Sequence, residues 1–267
     1  MKTIFYYQSP CGLEKLYSHI QDLDTIILSS IHFSSYKNDP YIHLNDNIPT
    51  SPIFDDVWIQ LQKCYEQGVE IILMIGGAGG AYQSLFSNFE TNYRLLFNLL
   101  RKFRFITGVD LDIEESVDVK DVKKLINCLI NDFGEDFIIT MAPVSESLIS
   151  DGPGGFGGFS YKSLYESKEG GHICWFNAQC YGSYTLDTYD SIIKNGYPPE
   201  KVVFGMIGGN YGDFDTSLNE IKKVKDKYKD MKGVFVWEYI IAPPDEKDPS
   251  QWCKSIKNIE DDFILVD

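Results

Sequence analysis

The chain has 267 residues, 43% of them hydrophobic, and a formal net charge of -15. That is apolar material for one large core, and so acidic a surface disfavours nucleic acid and anionic membranes as partners. No stretch approaches the roughly 20 apolar residues of a membrane-spanning helix. Aromatic residues, at 14%, offer stacking faces for an uncharged ligand such as a carbohydrate, although an acidic surface also serves plain solubility.

The first apolar run, Thr3-Ile4-Phe5-Tyr6-Tyr7, is stopped by Gln8 and Pro10, far short of the apolar core of a secretory leader. It reads as the first strand, over 3–8. Further strand-like runs occupy 25–33, 70–77, 105–114, 136–143, 172–181, 201–208 and 233–240. Helical patterns lie near 13–20, 54–68, 82–102, 118–133, 160–167, 186–195, 214–230 and 249–258. The strands are continuous apolar runs, as expected when helices cover both faces of a parallel sheet. Eight strands each followed by a helix predict a single (β/α)8 barrel over residues 1–267, with a doubly wound open sheet as the alternative. The longest connection, 144–171, carries Gly152, Gly154, Gly155, Gly157 and Gly158 around Phe156 and Phe159. After the fifth strand it would lie on the catalytic face, where it could close over a ligand.

The six cysteines, Cys11, Cys64, Cys128, Cys174, Cys180 and Cys253, form no C-x-x-C pair, and no Asn-x-Ser/Thr sequon occurs. With no leader in view, these points favour an intracellular, reducing compartment; a secreted chain trimmed of its leader would look the same. A monomer is expected.

The densest signal is Thr107-Gly108-Val109-Asp110-Leu111-Asp112-Ile113-Glu114. Side chains alternate along a strand, so Asp110, Asp112 and Glu114 face one way while Val109, Leu111 and Ile113 face the other. Three acids on one side of an apolar strand are costly to bury, unless they retain protons or perform chemistry. Glu114 would be outermost, at the strand end where barrels place their active sites. Repulsion from the charges beneath it raises its pKa, which suits a general acid. A solvated strand end or a divalent-cation site are the alternatives. The only imidazoles, His19, His32, His43 and His172, have no ligand spacing, so no metal and no cofactor are expected. Gly76 and Gly77 suit a tight turn or a close approach of ligand; the Gly79-Gly80-Ala81 that follows lacks the Lys and Ser/Thr of a phosphate loop. Glu115 and Glu238 fall on the outward parity.

The segment Gly108-x-Asp110-x-Asp112-x-Glu114 resembles the D-G-x-D-x-D-x-E signature of glycoside hydrolase family 18, with Thr107 in place of its first Asp. Met74-Ile75-Gly76-Gly77 is similar to the family's S-x-G-G, with Met74 for Ser. Thr140-Met141-Ala142-Pro143 resembles its fifth-strand ending, Gln179-Cys180-Tyr181 the Q-x-Y of its compact hevamine-type members, and Val236-Trp237 the strand that sets a Trp beneath the sugar. Tyr7-Gln8 matches more loosely. The resemblance spans nearly the whole chain. It implies a retaining glycosidase in which Glu114 protonates the glycosidic oxygen and the 2-acetamido oxygen of the substrate is the nucleophile. Asp112 would orient that acetamido group, Asp110 would share a proton with Asp112, and Tyr181 would donate to the acetamido oxygen. Gln179, Trp237, Met141, Gly76, Gly77 and Tyr7 would bind sugar, with Met141 more readily a residue packed in the barrel. The implied partner is a β-linked N-acetylglucosamine polymer or oligosaccharide. Residues 209–232 are too few for the α+β insertion of larger chitinases. Chitin, the chitobiose core of N-glycans and a catalytically silent lectin on the same fold remain the competing readings.

Overall fold

The computed structural model describes residues 1–37, 39–152, 155–209 and 213–264. Its strands are β1 (Lys2–Tyr7), β2 (Thr25–Tyr36), β3 (Asp39–Leu44), β4 (Glu70–Gly76), β5 (Ile106–Asp112), β6 (Ile138–Met141), β7 (Ile173–Gln179), β8 (Val202–Ile207) and β9 (Gly233–Trp237). Eight of them run parallel in the order β1-β9-β8-β7-β6-β5-β4-β2, and β1 pairs with β2 to close the barrel. The ninth, β3, lies outside the ring and pairs antiparallel with the far end of β2.

Around the barrel stand α1 (Asp55–Glu66), α2 (Ala81–Ser87), α3 (Phe89–Lys102), α4 (Val119–Phe133), α5 (Ser145–Ile149), α6 (Tyr161–Tyr165), α7 (Leu186–Lys194), α8 (Phe214–Lys227) and α9 (Ser250–Ile264). The α4 helix shows why its sequence folds so. Val122, Leu125, Ile126, Leu129 and Ile130 recur at helical spacing and are buried, and the Asp118 side chain caps the start by accepting from Lys120 N. The helical pattern over 82–102 is two helices, broken at Asn88, whose φ of -144° leaves the helical region. The segment expected to form the first helix is a 3-10 turn over Glu14–Asp22. Among the described residues no helix is long and apolar enough to cross a membrane.

Alternation along the strands divides the apolar residues into two bodies. Phe5, Tyr7, Ile71, Val109, Leu111 and Met141 pack outward against the helices. Ile4, Tyr6, Ile27, Ile72, Met74, Trp175, Val203 and Phe235 fill the barrel itself. Toward the C-terminal mouth polar side chains join the inner set, where Asp110, Asp112, Thr140 and Asn177 are buried.

Candidate active site

The acid row rises through the upper half of the barrel on β5. Register fixes its neighbours: Asp110 lies beside Met74 of β4 and Thr140 of β6, and Asp112 lies beside Gly76. Val109, Leu111 and Ile113 are buried on the helix side, so the three acids share the inner face.

Asp110 is fully buried. One of its oxygens accepts from Tyr6 Oη at 2.8 Å; the other accepts from Thr140 Oγ1 at 2.5 Å and Asn177 Nδ2 at 3.0 Å. Burial pushes its pKa up, and these three donors oppose the shift by favouring the charged form. Asp112 sits one layer higher. Its Oδ1 accepts from Gln179 Nε2 at 3.1 Å, and the same nitrogen donates to Ala142 O at 2.7 Å. Burial, then the charges of Glu114 and Asp110, drive the Asp112 carboxyl well above the usual carboxylate range. Glu114 stands just past the strand end and is half-buried, and that burial raises its carboxyl too. All three carboxyls are thus raised, Asp112 the furthest, with three donors opposing the rise at Asp110 against one at Asp112.

Gly76 and Gly77 let β4 close against this row. A Cβ at Gly76, whose φ is +98°, would lie 2.2 Å from Asp112 O and 2.5 Å from the Tyr82 ring. Gly77 N donates to Asp112 O at 2.9 Å. A side chain at Gly76 would force the strand end away from Asp112.

A cavity of about 290 Å3 opens above the row, lined by Asp112, Glu114, Gln179, Tyr181, Trp237, Gly76 and Gly77 together with Tyr6, Gln8, Ser30, Met74 and Ala142. Burial first, then the Asp112 charge, raises the Tyr181 phenol well above its ordinary value, so it is a hydroxyl donor throughout the neutral range. The Trp237 ring tilts against Tyr6 at a centroid distance of 5.4 Å and forms an apolar floor. Among the described residues no group of three His, Cys, Asp or Glu side chains is arranged to hold a metal ion.

Seven of the ten anticipated residues line this cavity, and Asp110 supports it from below. Two do not reach it. Tyr7 faces the helix layer, edge-on to Tyr239 at 5.6 Å, because the inward residue of β1 is its neighbour Tyr6. Met141 is buried in the same outer layer; the inward residues of β6 and its continuation are Thr140 and Ala142. In both cases the parity was off by one residue, which on a strand exchanges the two faces. Register also exposes what was missed: Met74 and Thr140 pair directly with Asp110, and Asn177 lies two residues along β7 from Trp175, the partner of Thr140. The glycine-rich loop contributes no described residue to the cavity wall, Gly154 lying outside the described residues. It folds instead onto the segment after Glu114, where Gly157 O accepts from Val117 N at 3.1 Å. The outward acids clip loops in place. Glu115 accepts from Tyr82 N at the start of α2, and Glu238 accepts from the backbone N–H groups of Gln8 and Ser9.

No protein-family model matches the chain. It is similar to chitinase 2 of Rhizopus oligosporus, with 24% identity over 83% of this chain; the match spans 45% of that relative, so the chain is about half its length. Among solved structures, a fungal endo-β-N-acetylglucosaminidase of glycosyl hydrolase family 18 superposes with a TM-score of 0.88 at 29% identity, covering 97% of this chain and 98% of that one. The chitinase ChiC of Aspergillus fumigatus superposes with a TM-score of 0.84 at 28% identity, covering 96% and 98% respectively. A closed parallel barrel carrying an inward row of acids, with these likenesses along almost its whole length, makes the chain similar to glycosidases of glycoside hydrolase family 18.

Proposed function

We propose that the chain hydrolyses β-1,4-linked N-acetylglucosamine, as in chitin and its oligosaccharides, by a retaining, substrate-assisted route. One observation carries this reading. Asp112 and Glu114 are the only acids among the described residues lining the cavity, one at the end of β5 and the other two residues beyond it. With no carboxylate on another wall to attack the sugar, the nucleophile of a retaining reaction has to come from the substrate.

In this reading Glu114 gives its proton to the glycosidic oxygen as the bond from that oxygen to C1 breaks, and the acetamido carbonyl oxygen bonds to C1. Asp112 accepts from the acetamido N–H and offsets the positive charge on the ring so formed. Asp110, with its three donors, shares a proton with Asp112 and takes it when the substrate arrives, which leaves Asp112 charged. Tyr181 donates to the acetamido oxygen, and Gln179, tied to Ala142 O, fixes the carboxyl it touches. A water then attacks C1 and gives a proton to Glu114 as the bond from the acetamido oxygen to C1 breaks, and the sugar leaves with its original configuration. Trp237 supports the face of the sugar ring.

The TM-score of 0.88 to an endo-β-N-acetylglucosaminidase favours a second reading, release of N-glycans at their chitobiose core. Incubation with chitin oligomers and with a high-mannose glycopeptide, followed by product masses, separates the two. Cleaved oligomers support the first reading and a released glycan the second. An untouched mixture that still retains the sugars on the protein would make the chain a lectin.

A further inference from the structure

Glu114 stands two residues beyond the end of β5, so the strand pairing that fixes Asp110 and Asp112 stops short of it. A group that delivers a proton has to be held within about 0.5 Å of its working place. Contacts on either side of the segment past the strand take over that task. On one side Val117 N donates to Gly157 O at 3.1 Å. On the other, the Glu115 side chain turns away from the cleft that Glu114 lines and reaches α2, where its Oε1 accepts from Tyr82 N at 2.5 Å.

Tyr82 is itself anchored at the barrel mouth. It is fully buried, its hydroxyl donates to Ile75 O at 2.7 Å, and its ring lies against Gly76. Gly77 N in turn donates to Asp112 O at 2.9 Å. The contacts close a circuit: from Asp112 across to Gly77, back along β4 to Ile75, through Tyr82 to its own N–H, and by way of Glu115 to the main chain next to Glu114. Capping alone does not account for a glutamate here. The residue before α2 is Gly80, which has no side chain to cap the helix; a Ser or Asp there would cap it locally. The cap comes instead from Glu115, whose Oε2 is buried with no partner among the described residues. An acceptor buried without a donor costs free energy, and what this one secures is the place of residue 115.

We propose that Glu115 is a positioning residue for the general acid: its bond to α2 fixes the main chain beyond β5 and so aims the Glu114 carboxyl at the glycosidic oxygen. The role rests on the hydrolytic reading above, in which Glu114 is the proton donor.

The test measures kcat and KM on chitin oligomers for the wild type, Glu115→Ala and Glu115→Gln, and for Glu115→Ala combined with Glu114→Gln. Glu115→Ala lowers kcat about 10- to 100-fold and leaves KM within about twofold, since it misplaces the acid without touching the sugar. Glu115→Gln still offers an oxygen to Tyr82 N and keeps kcat within about threefold of the wild type. In the Glu114→Gln background the alanine costs less than about threefold, because the group it aims is gone. Where Glu115→Ala does not fold, Glu115→Asp, one methylene too short for the bond, takes its place. An unchanged kcat in the shortened variant, a Glu115→Gln equally slow, or an equal loss with and without Glu114 overturns the positioning role and leaves hydrolysis standing. A wild type that cleaves no oligomer overturns the hydrolytic reading instead.

Discussion

Two groups of acids in this molecule are stabilised by opposite means. In the seam between α7 and α8, Asp190 takes ion pairs from Lys194 and Lys227 and a hydrogen bond from Tyr228, and its carboxyl lies well below the ordinary range because of those partners. In the barrel mouth, Asp110, Asp112 and Glu114 have neutral donors and no Lys or Arg partner among the described residues, and burial pushes all three upward. An acid that only ties helices together is neutralised by a neighbouring cation. An acid that must deliver a proton has to be denied one, so that it keeps the proton instead.

The contrast breaks most sharply at Glu114. Glu114→Gln preserves shape and removes the proton donor, and kcat on chitin oligomers should fall by a factor of about 10² to 10⁴ while sugar binding persists, read by parallel kinetics and calorimetry. Wild-type turnover in that variant would take Glu114 out of the role. Asp112→Asn should cost less, about 10² in kcat, since it removes one stabilising charge but not the acid. Its stability should move the other way. A folded pKa raised above the unfolded value penalises the fold once pH rises through the unfolded pKa, so Asp112→Asn should melt no lower than the wild type at neutral pH and higher in mild alkali. The smallest effect on catalysis belongs to Asp190→Asn. Its lowered pKa gives stability that is present above the ordinary carboxylate range and lost as pH falls through it. The variant should therefore melt lower at neutral pH, converge with the wild type in acid, and keep its turnover. A loss of turnover as large as that of Asp112→Asn would erase the distinction between the two groups.

Much of this was legible in the residue order because it rests on local periodicity. The eight barrel strands are unbroken apolar runs with turn residues between them, and the acid row shows itself by recurring every second residue from Asp110 to Glu114. What was not legible depended on pairing. The β3 strand is short, opens on Asp39-Pro40, and is held only by β2, so nothing local distinguishes it from a loop. Tyr7 came from the loose Tyr7-Gln8 resemblance, and the unbroken run from Thr3 through Tyr7, all buried in the structure, shows no alternation to set the parity. Only the bond from Tyr6 to Asp110, 104 residues away, decides which of them looks inward. Met141 failed for the same reason: β6 is four residues long, and its three innermost positions are all buried.

The claim on which the rest turns is that Glu114 keeps its proton beyond the range of an ordinary glutamate. A titration of its side-chain carboxyl carbon by 13C NMR, assigned by comparison with Glu114→Gln, reads this directly. The account predicts a midpoint above the ~4.3 of an unperturbed glutamate, raised by the burial of its carboxyl. A midpoint at or below that value in the wild type would contradict the account.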